Sequence, residues 1–159
     1  MELALILGVS TALMLNGVEA SRYYYAQMEL ENAAQMAAQN VFRVCDTAAK
    51  LPATIKCTER TNAINTALQS TSLGSAVTLS SGYPTEAYYC VSTAGVLTQV
   101  AAVTATKPTD CSSVGSASDT PGLYLTIQAQ YTFTPIFDGI TIGSALPATV
   151  QTSTMTRLS

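Results

Sequence analysis

The sequence predicts an α+β protein in which one long N-terminal helix packs on a small antiparallel sheet. Two patterns predict this class: no proline precedes Pro52, and apolar and polar residues alternate with a period of two after residue 74. The chain has 159 residues, about the length of one ordinary domain. We therefore expect a single globular unit that carries a helical extension.

The composition narrows the range of functions. Hydrophobic residues make up 48% of the chain and charged residues only 11%, against about 25% charged residues in a typical soluble domain. The seven Lys and Arg residues are scattered and the net charge is -3, which argues against nucleic acid as a partner. The chain has no His, the commonest general base and metal ligand, so we expect no enzyme, no metal and no cofactor.

Residues 1–21 are predicted to form a transmembrane segment. The stretch from residue 3 to residue 21 is apolar or small except at Ser10, Thr11, Asn16 and Glu19. As a helix it is roughly 28 Å long, close to the thickness of a bilayer's hydrocarbon core. This segment is therefore interpreted as a membrane anchor.

A cleaved signal peptide is the alternative interpretation of the same stretch. Its strictly apolar part, residues 3–15, has the length of a signal-peptide hydrophobic region. However, no basic residue precedes it, and the sequence after it continues from Tyr23 to Lys50 without Gly or Pro. These two features favour one continuous helix.

Residues 22–51 are predicted to continue this helix in amphipathic form, giving a helix of about 50 residues that is roughly 75 Å long. Pro52 is expected to end it. Apolar residues at spacings of three and four form a stripe that must be covered, and it suits packing on the sheet or on other subunits. The predicted helix-packing residues are Leu30, Ala34, Ala37, Val41, Val44 and Ala48.

Polar and aromatic residues mark the junction between the two halves of the helix. Tyr23, Tyr24 and Tyr25 are expected at the membrane interface, and a tyrosine cluster in the core is the alternative. For Asn16 and Glu19, we favour side chains that reach the membrane interface over hydrogen bonds to a neighbouring helix.

Residues 52–159 are predicted to form the globular domain. Thr58 is expected to cap a short helix on which Ile64, Ala67 and Leu68 share one face. Period-two patterns predict strands over residues 75–80, 86–92, 96–103, 123–133 and 150–158, with a hairpin turn at residues 93–95. Short connections between successive strands imply an antiparallel sheet.

The four cysteines, Cys45, Cys57, Cys90 and Cys111, show no spacing typical of a zinc site. They are interpreted as two disulfides formed in an oxidising compartment. Three pairings are possible, and the local one, Cys45 with Cys57 and Cys90 with Cys111, is favoured because it closes the shortest loops. The polar segment around Cys111, residues 104–121, is expected to be an exposed loop.

Both ends of the chain resemble a known family. The opening ELALILG, the segment YYYAQMELENAAQMAAQ and the ending YTFTPIF followed by TSTMTRLS are similar to TadE/TadG-like pilin-related proteins of tight-adherence pilus systems. The resemblance implies a pilin-like fold, and a leader whose removal leaves an acidic residue near the start of the helix. Glu2 is the matching position. The family's explanation for it is pairing with the N-terminal ammonium of a neighbouring subunit, and a place among the lipid headgroups is the alternative.

The leading functional hypothesis is a structural pilin or pseudopilin subunit that takes part in assembling a surface filament. Its expected partners are other pilin-like subunits, including further copies of the same chain, and membrane lipid. Its expected location is the bacterial inner membrane with the domain on the extracytoplasmic side, or the extracellular pilus.

Two other classes of function are weighed beside this one. A membrane-tethered or filament-tip binding module would use the Ser- and Thr-rich loops to contact a surface. For an enzyme, only the dispersed acids Asp110, Asp119 and Asp138 are available, and turn formation explains them better. A type II secretion pseudopilin and an archaeal-type filament protein are alternatives within the structural class.

Overall fold

The computed structural model describes residues 2–137 and 141–159, and in the first range the side chains from residue 6 onward. Its dominant element is helix α1 (Glu2–Val44). At 43 residues, α1 is about 65 Å long. From Ala26 to Val41 one face is buried, and it is built mainly of alanines, which allow close approach to neighbouring elements. The predicted long helix is confirmed.

The end of α1 differs from the sequence-based expectation. The helix ends at Val44, and residues 48–50 form a separate 3-10 turn, so the predicted continuation to residue 51 is wrong in its boundary. Lys50 Nζ donates a hydrogen bond of 2.8 Å to the carbonyl oxygen of Val44, one of the carbonyls that a helix end leaves without a backbone partner. Cys45, the residue after the helix, forms a disulfide with Cys57.

Two short helices follow, α2 (Ala53–Lys56) and α3 (Arg60–Leu68). The buried carboxylate of Glu86 accepts hydrogen bonds from the backbone N–H groups of Ala53 at 3.0 Å and Thr54 at 2.8 Å, and so caps the start of α2. Helix α3 packs on α1 through Ile64, Ala67 and Leu68, the face that the sequence predicts.

Five antiparallel strands form one sheet, close to the predicted positions. They are β1 (Val77–Leu79), β2 (Thr85–Val91), β3 (Leu97–Ala102), β4 (Gly122–Thr132) and β5 (Thr149–Arg157). Strand β4 is central, with β5 along one edge. Strands β2 and β1 pair with the first and last parts of β4, and β3 pairs with β2.

The period-two pattern of β4 determines which side of the sheet faces the core. Leu123, Leu125, Ile127 and Ala129 are buried, while the residues between them are partly exposed. This apolar face packs with β5 against α1, while α3 covers another part of the same helix. The predicted architecture, a long helix on a small antiparallel sheet, is confirmed.

Two covalent links join the loops to these elements. Of the three possible pairings, the structure has the local one: Cys45 bonds to Cys57 and Cys90 bonds to Cys111. The second bond ties the loop between β3 and β4 to strand β2. Strands β2 and β3 are joined by the predicted tight turn, in which Gly95 has a φ of 76°, a conformation that favours glycine.

Candidate functional site

The first part of α1 projects from the domain as an apolar rod, which we define as residues 6–15. Its large apolar side chains are mostly exposed, with Ile6 67%, Leu13 69% and Met14 71% accessible. The exposed side chains lie all around the helix, not on one face. A helix that is apolar on every side is normally buried, either in lipid or against other protein chains.

Polar side chains at the rod and just beyond it are hydrogen-bonded within the helix. Thr11 Oγ1 donates to the carbonyl of Leu7 at 2.8 Å, and Asn16 Nδ2 donates to the carbonyl of Ala12 at 2.7 Å. A polar group in apolar surroundings is costly unless it is hydrogen-bonded. These internal bonds therefore make the rod compatible with lipid or with a packed bundle of helices.

Glu19 joins the helix to the distant loop between β4 and β5. Its side chain is 0% exposed, and its Oε1 accepts hydrogen bonds from the backbone N–H groups of Ile136 at 2.7 Å and Phe137 at 3.1 Å. Arg22 Nη1 lies 3.4 Å from the second carboxylate oxygen. The preference for an interfacial Glu19 is therefore wrong, because its carboxylate is buried against the chain's own loop.

Asn16 makes a second connection to the same loop. Its Oδ1 accepts a hydrogen bond of 2.7 Å from the backbone N–H of Ile142. We call residues 134–137 and 141–146 the collar, and Asn16 with Glu19 the clamp that holds it. Asn16 is only partly buried, so its position at a membrane interface stays a prediction. Through Asn16 and Glu19, the domain is hydrogen-bonded to the last part of the predicted transmembrane segment, residues 1–21.

The collar has little room for change at Gly143. A Cβ atom there would lie 2.8 Å from Pro135 Cβ and 3.2 Å from Thr141 Oγ1. Thr141 Oγ1 donates to the carbonyl of Phe137 at 3.0 Å and accepts from the N–H of Gly143 at 3.3 Å. The collar is thus a compact loop that the clamp can grip.

Replacing Asn16 tests the weaker half of the clamp. We expect Asn16→Ala to lower the stability of the collar by about 1 kcal/mol, because the Ile142 N–H loses its acceptor. Amide hydrogen exchange at Ile142 should become about fivefold faster. Thr11→Ala, which removes a bond internal to the helix, is the control, and an unchanged rate at Ile142 in Asn16→Ala would contradict the role of Asn16.

The three tyrosines at the junction do not form one cluster. Tyr23 is half-buried, with its ring edge-on to Phe133 at a centroid distance of 5.3 Å. Tyr24 and Tyr25 are 64% and 51% exposed. Tyr23 therefore belongs to the packing between helix and sheet, and placement of Tyr24 and Tyr25 at a membrane interface stays a prediction.

Most of the predicted helix-packing stripe is covered by the chain's own domain. Leu30, Ala34, Ala37 and Val41 are almost completely buried in the domain's own core, where they cannot reach other chains. Val44 is half-buried at the end of α1, and Ala48 is exposed in the following 3-10 turn, off the helix. Of the two partners that the sequence left open, the sheet and other subunits, these four residues pack within the domain.

The acids considered for catalysis have local roles where they are described. Hydrogen bonds from the Ser112 side chain and backbone lower the pKa of Asp110, and the backbone bond is 2.9 Å long. The carbonyl oxygen of Asp119 accepts from the N–H of Cys111 at 3.0 Å. Asp138 lies outside the described residues. Within the described ranges no cluster of potential metal ligands is present.

Two further predictions concern the start of the chain. Among the residues described, no helix is both long enough and apolar enough for a membrane crossing. The predicted transmembrane segment, residues 1–21, includes five positions whose side chains are not described, and it stays a prediction. The Glu2 side chain also lies outside the described part.

One known protein family is similar to the N-terminal helix. A family model described as "TadE-like protein" matches residues 1–39, which cover the rod, the clamp and most of the buried face of α1 but none of the sheet. The C-terminal segments YTFTPIF and TSTMTRLS lie outside this match. No curated protein and no protein of solved structure matches the chain significantly. Residues 1–39 are therefore similar to TadE-like proteins, and the rest of the chain lies outside the match.

Proposed function

We propose that this chain is a structural pilin or pseudopilin subunit, held in the bacterial inner membrane by its rod and then assembled into a surface filament through the same rod. The observation that carries the proposal is the exposed apolar rod, which continues without a break into the helix that forms the domain's core. Lipid can cover such a rod before assembly, and the rods of other subunits can cover it afterwards.

The cysteines support an extracytoplasmic position for the domain. All four are paired, and the sulfurs belong to residues that are almost completely buried. Disulfides persist in oxidising compartments and are rare in the cytosol. In this arrangement the rod lies in the membrane, and the domain is on the side from which a surface filament grows.

Glu2 has an assembly role in this proposal. Its carboxylate pairs with the N-terminal ammonium of a neighbouring subunit, which offsets the cost of a charge in apolar surroundings. Glu2→Gln should then reduce incorporation into filaments while the amount in the membrane stays constant. Normal incorporation of this variant would contradict the pairing of Glu2 with the ammonium group. It would not contradict assembly through the rod.

A charge in the rod tests the proposal directly. We expect Leu13→Asp to reduce the amount of this chain in sheared surface filaments by about 100-fold, because an Asp in apolar surroundings costs about 3 kcal/mol. The measurement is quantitative mass spectrometry of the filament and membrane fractions.

The matched control is Ile55→Asp, which places the same charge at an exposed apolar position of the domain. Ile55 is 57% exposed, so this variant should behave like wild type. Equal incorporation of Leu13→Asp and Ile55→Asp would refute assembly through the rod.

A further inference from the structure

A cavity of about 280 Å³ lies at the end of the sheet farthest from the rod. Strand β4 ends next to Phe133, which contacts Tyr23 near the start of the domain, so Gly122 at the other end of β4 is distal. Leu123 and Leu125 face the core, and Tyr124 between them faces the opposite, outer side. The cavity therefore opens on the outer face of the sheet, away from α1.

Two tyrosines form an aromatic corner in this cavity. Tyr89 on β2 and Tyr124 on β4 are both half-buried, and their ring centroids are 5.5 Å apart at an angle of 68°. Such a corner offers a rigid apolar surface with hydroxyl groups at its edge. Tyrosine provides this kind of surface at a low cost in conformational entropy.

Gly122 allows the Tyr124 ring and the Arg157 side chain to lie close to the strand. It pairs with Tyr89 across the sheet, while Tyr124 pairs with Arg157 on β5. A Cβ atom on Gly122 would lie 2.9 Å from Tyr124 Cε2 and 3.0 Å from Arg157 Nε, which is too close for both. The missing side chain thus lets the tyrosine ring and the guanidinium group lie together over the strand.

Charged and polar groups complete the cavity. Arg157 Nε donates to the main-chain oxygen of Ser159 at 3.0 Å, and within residues 2–137 and 141–159 no Asp or Glu side chain forms a salt bridge with Arg157. Its two terminal amino groups carry further N–H donors. Asp119 and Thr120 also line the cavity and bring a carboxylate and a hydroxyl group.

The wall that carries Asp119 is held in place before any ligand binds. The Cys90–Cys111 disulfide fixes this loop to β2. Inside the loop, the N–H of Cys111 donates to the carbonyl of Asp119 at 3.0 Å, and the N–H of Ser116 donates to the carbonyl of Cys111 at 3.1 Å. Because the loop is already ordered, binding of a ligand in the cavity costs less conformational entropy.

We propose that this cavity binds one saccharide ring. A sugar ring has an apolar C–H face, which fits on an aromatic ring, and neighbouring hydroxyl groups, which pair with a guanidinium group and a carboxylate. The cavity offers these features together at Tyr124, Arg157 and Asp119. The proposal does not depend on how the rod assembles, and it would give the distal end of the domain a function in recognising glycans.

The test is saturation-transfer NMR with the full-length chain in a detergent that contains no sugar. The probes are the methyl glycosides of glucose, galactose, mannose and N-acetylglucosamine at about 1–5 mM, the range of weak binding. We expect transfer to at least one glycoside, strongest at the ring protons of one face. Absence of transfer to all four would overturn the proposal.

Three variants test whether the saturation transfer comes from a saccharide bound in the cavity. Asp119→Asn changes an exposed side chain and should weaken binding severalfold without affecting the fold. Tyr124→Ala should weaken it about tenfold, with far-UV circular dichroism as the check on folding. Tyr24→Ala removes an exposed tyrosine on α1 and should bind like wild type. Equal binding by Asp119→Asn and Tyr24→Ala would place the saccharide elsewhere and refute the proposal.

Discussion

Glu19→Ala is expected to lower the free energy of unfolding by about 3 kcal/mol. The carboxylate is completely buried, and its removal leaves the backbone N–H groups of Ile136 and Phe137 without their acceptor. Hydrogen bonds to a charged group are stronger than neutral ones, and an unpaired buried donor keeps its full desolvation cost. Denaturant unfolding in detergent micelles measures the change, and hydrogen exchange of residues 134–137 locates it.

Two further variants separate the charge from the hydrogen bonds. Glu19→Gln keeps an oxygen acceptor and should lose about half as much stability as Glu19→Ala. Glu31→Ala removes an exposed carboxylate from the same helix and should change stability by less than about 0.5 kcal/mol. If Glu19→Ala and Glu31→Ala were equally stable, the clamp would not hold the collar.

The double variant Cys45→Ala/Cys57→Ala should lose about 3 kcal/mol of unfolding free energy. The disulfide joins residues 12 positions apart, and it restricts the unfolded chain. Both residues are also almost completely buried, at 2% and 0% exposure, so the alanines leave unfilled space in the core.

The second disulfide provides the comparison for this variant. Cys90→Ala/Cys111→Ala, which opens the loop before β4, should leave the end of α1 protected from hydrogen exchange. In the Cys45→Ala/Cys57→Ala variant, exchange should increase in residues 41–57. Unchanged protection there would mean that helix packing alone fixes the end of α1.

Much of the fold could be predicted because its patterns are local. Alternation along β4 places Leu125 and Ile127 in the core, and the position of Pro52 places the end of the helical region within a few residues. The end of α1 was predicted too late because Lys50 satisfies the carbonyl of Val44 from beyond the helix. A side-chain bond of this kind leaves no periodic signal in the sequence.

The clamp could not be predicted because its two halves are far apart in the chain. Glu19 binds the N–H of Ile136, 117 positions away, and a backbone donor has no residue type to recognise. The local signal was the i,i+3 pair of Glu19 and Arg22 next to an apolar stretch. The stripe that contains Leu30 shows another limit of sequence-based prediction. Its period indicates that the stripe is covered, but it does not indicate whether the chain's own sheet or another subunit covers it.

The placement of the clamp and the first disulfide determines how the domain would carry tension. A pull along the rod would first strain the hydrogen bonds of Asn16 and Glu19, and then shear the long interface beneath α1. At the far end, the covalent bond from Cys45 to Cys57 prevents the chain between them from unravelling. A subunit built in this way would transmit mechanical load into its sheet rather than extend.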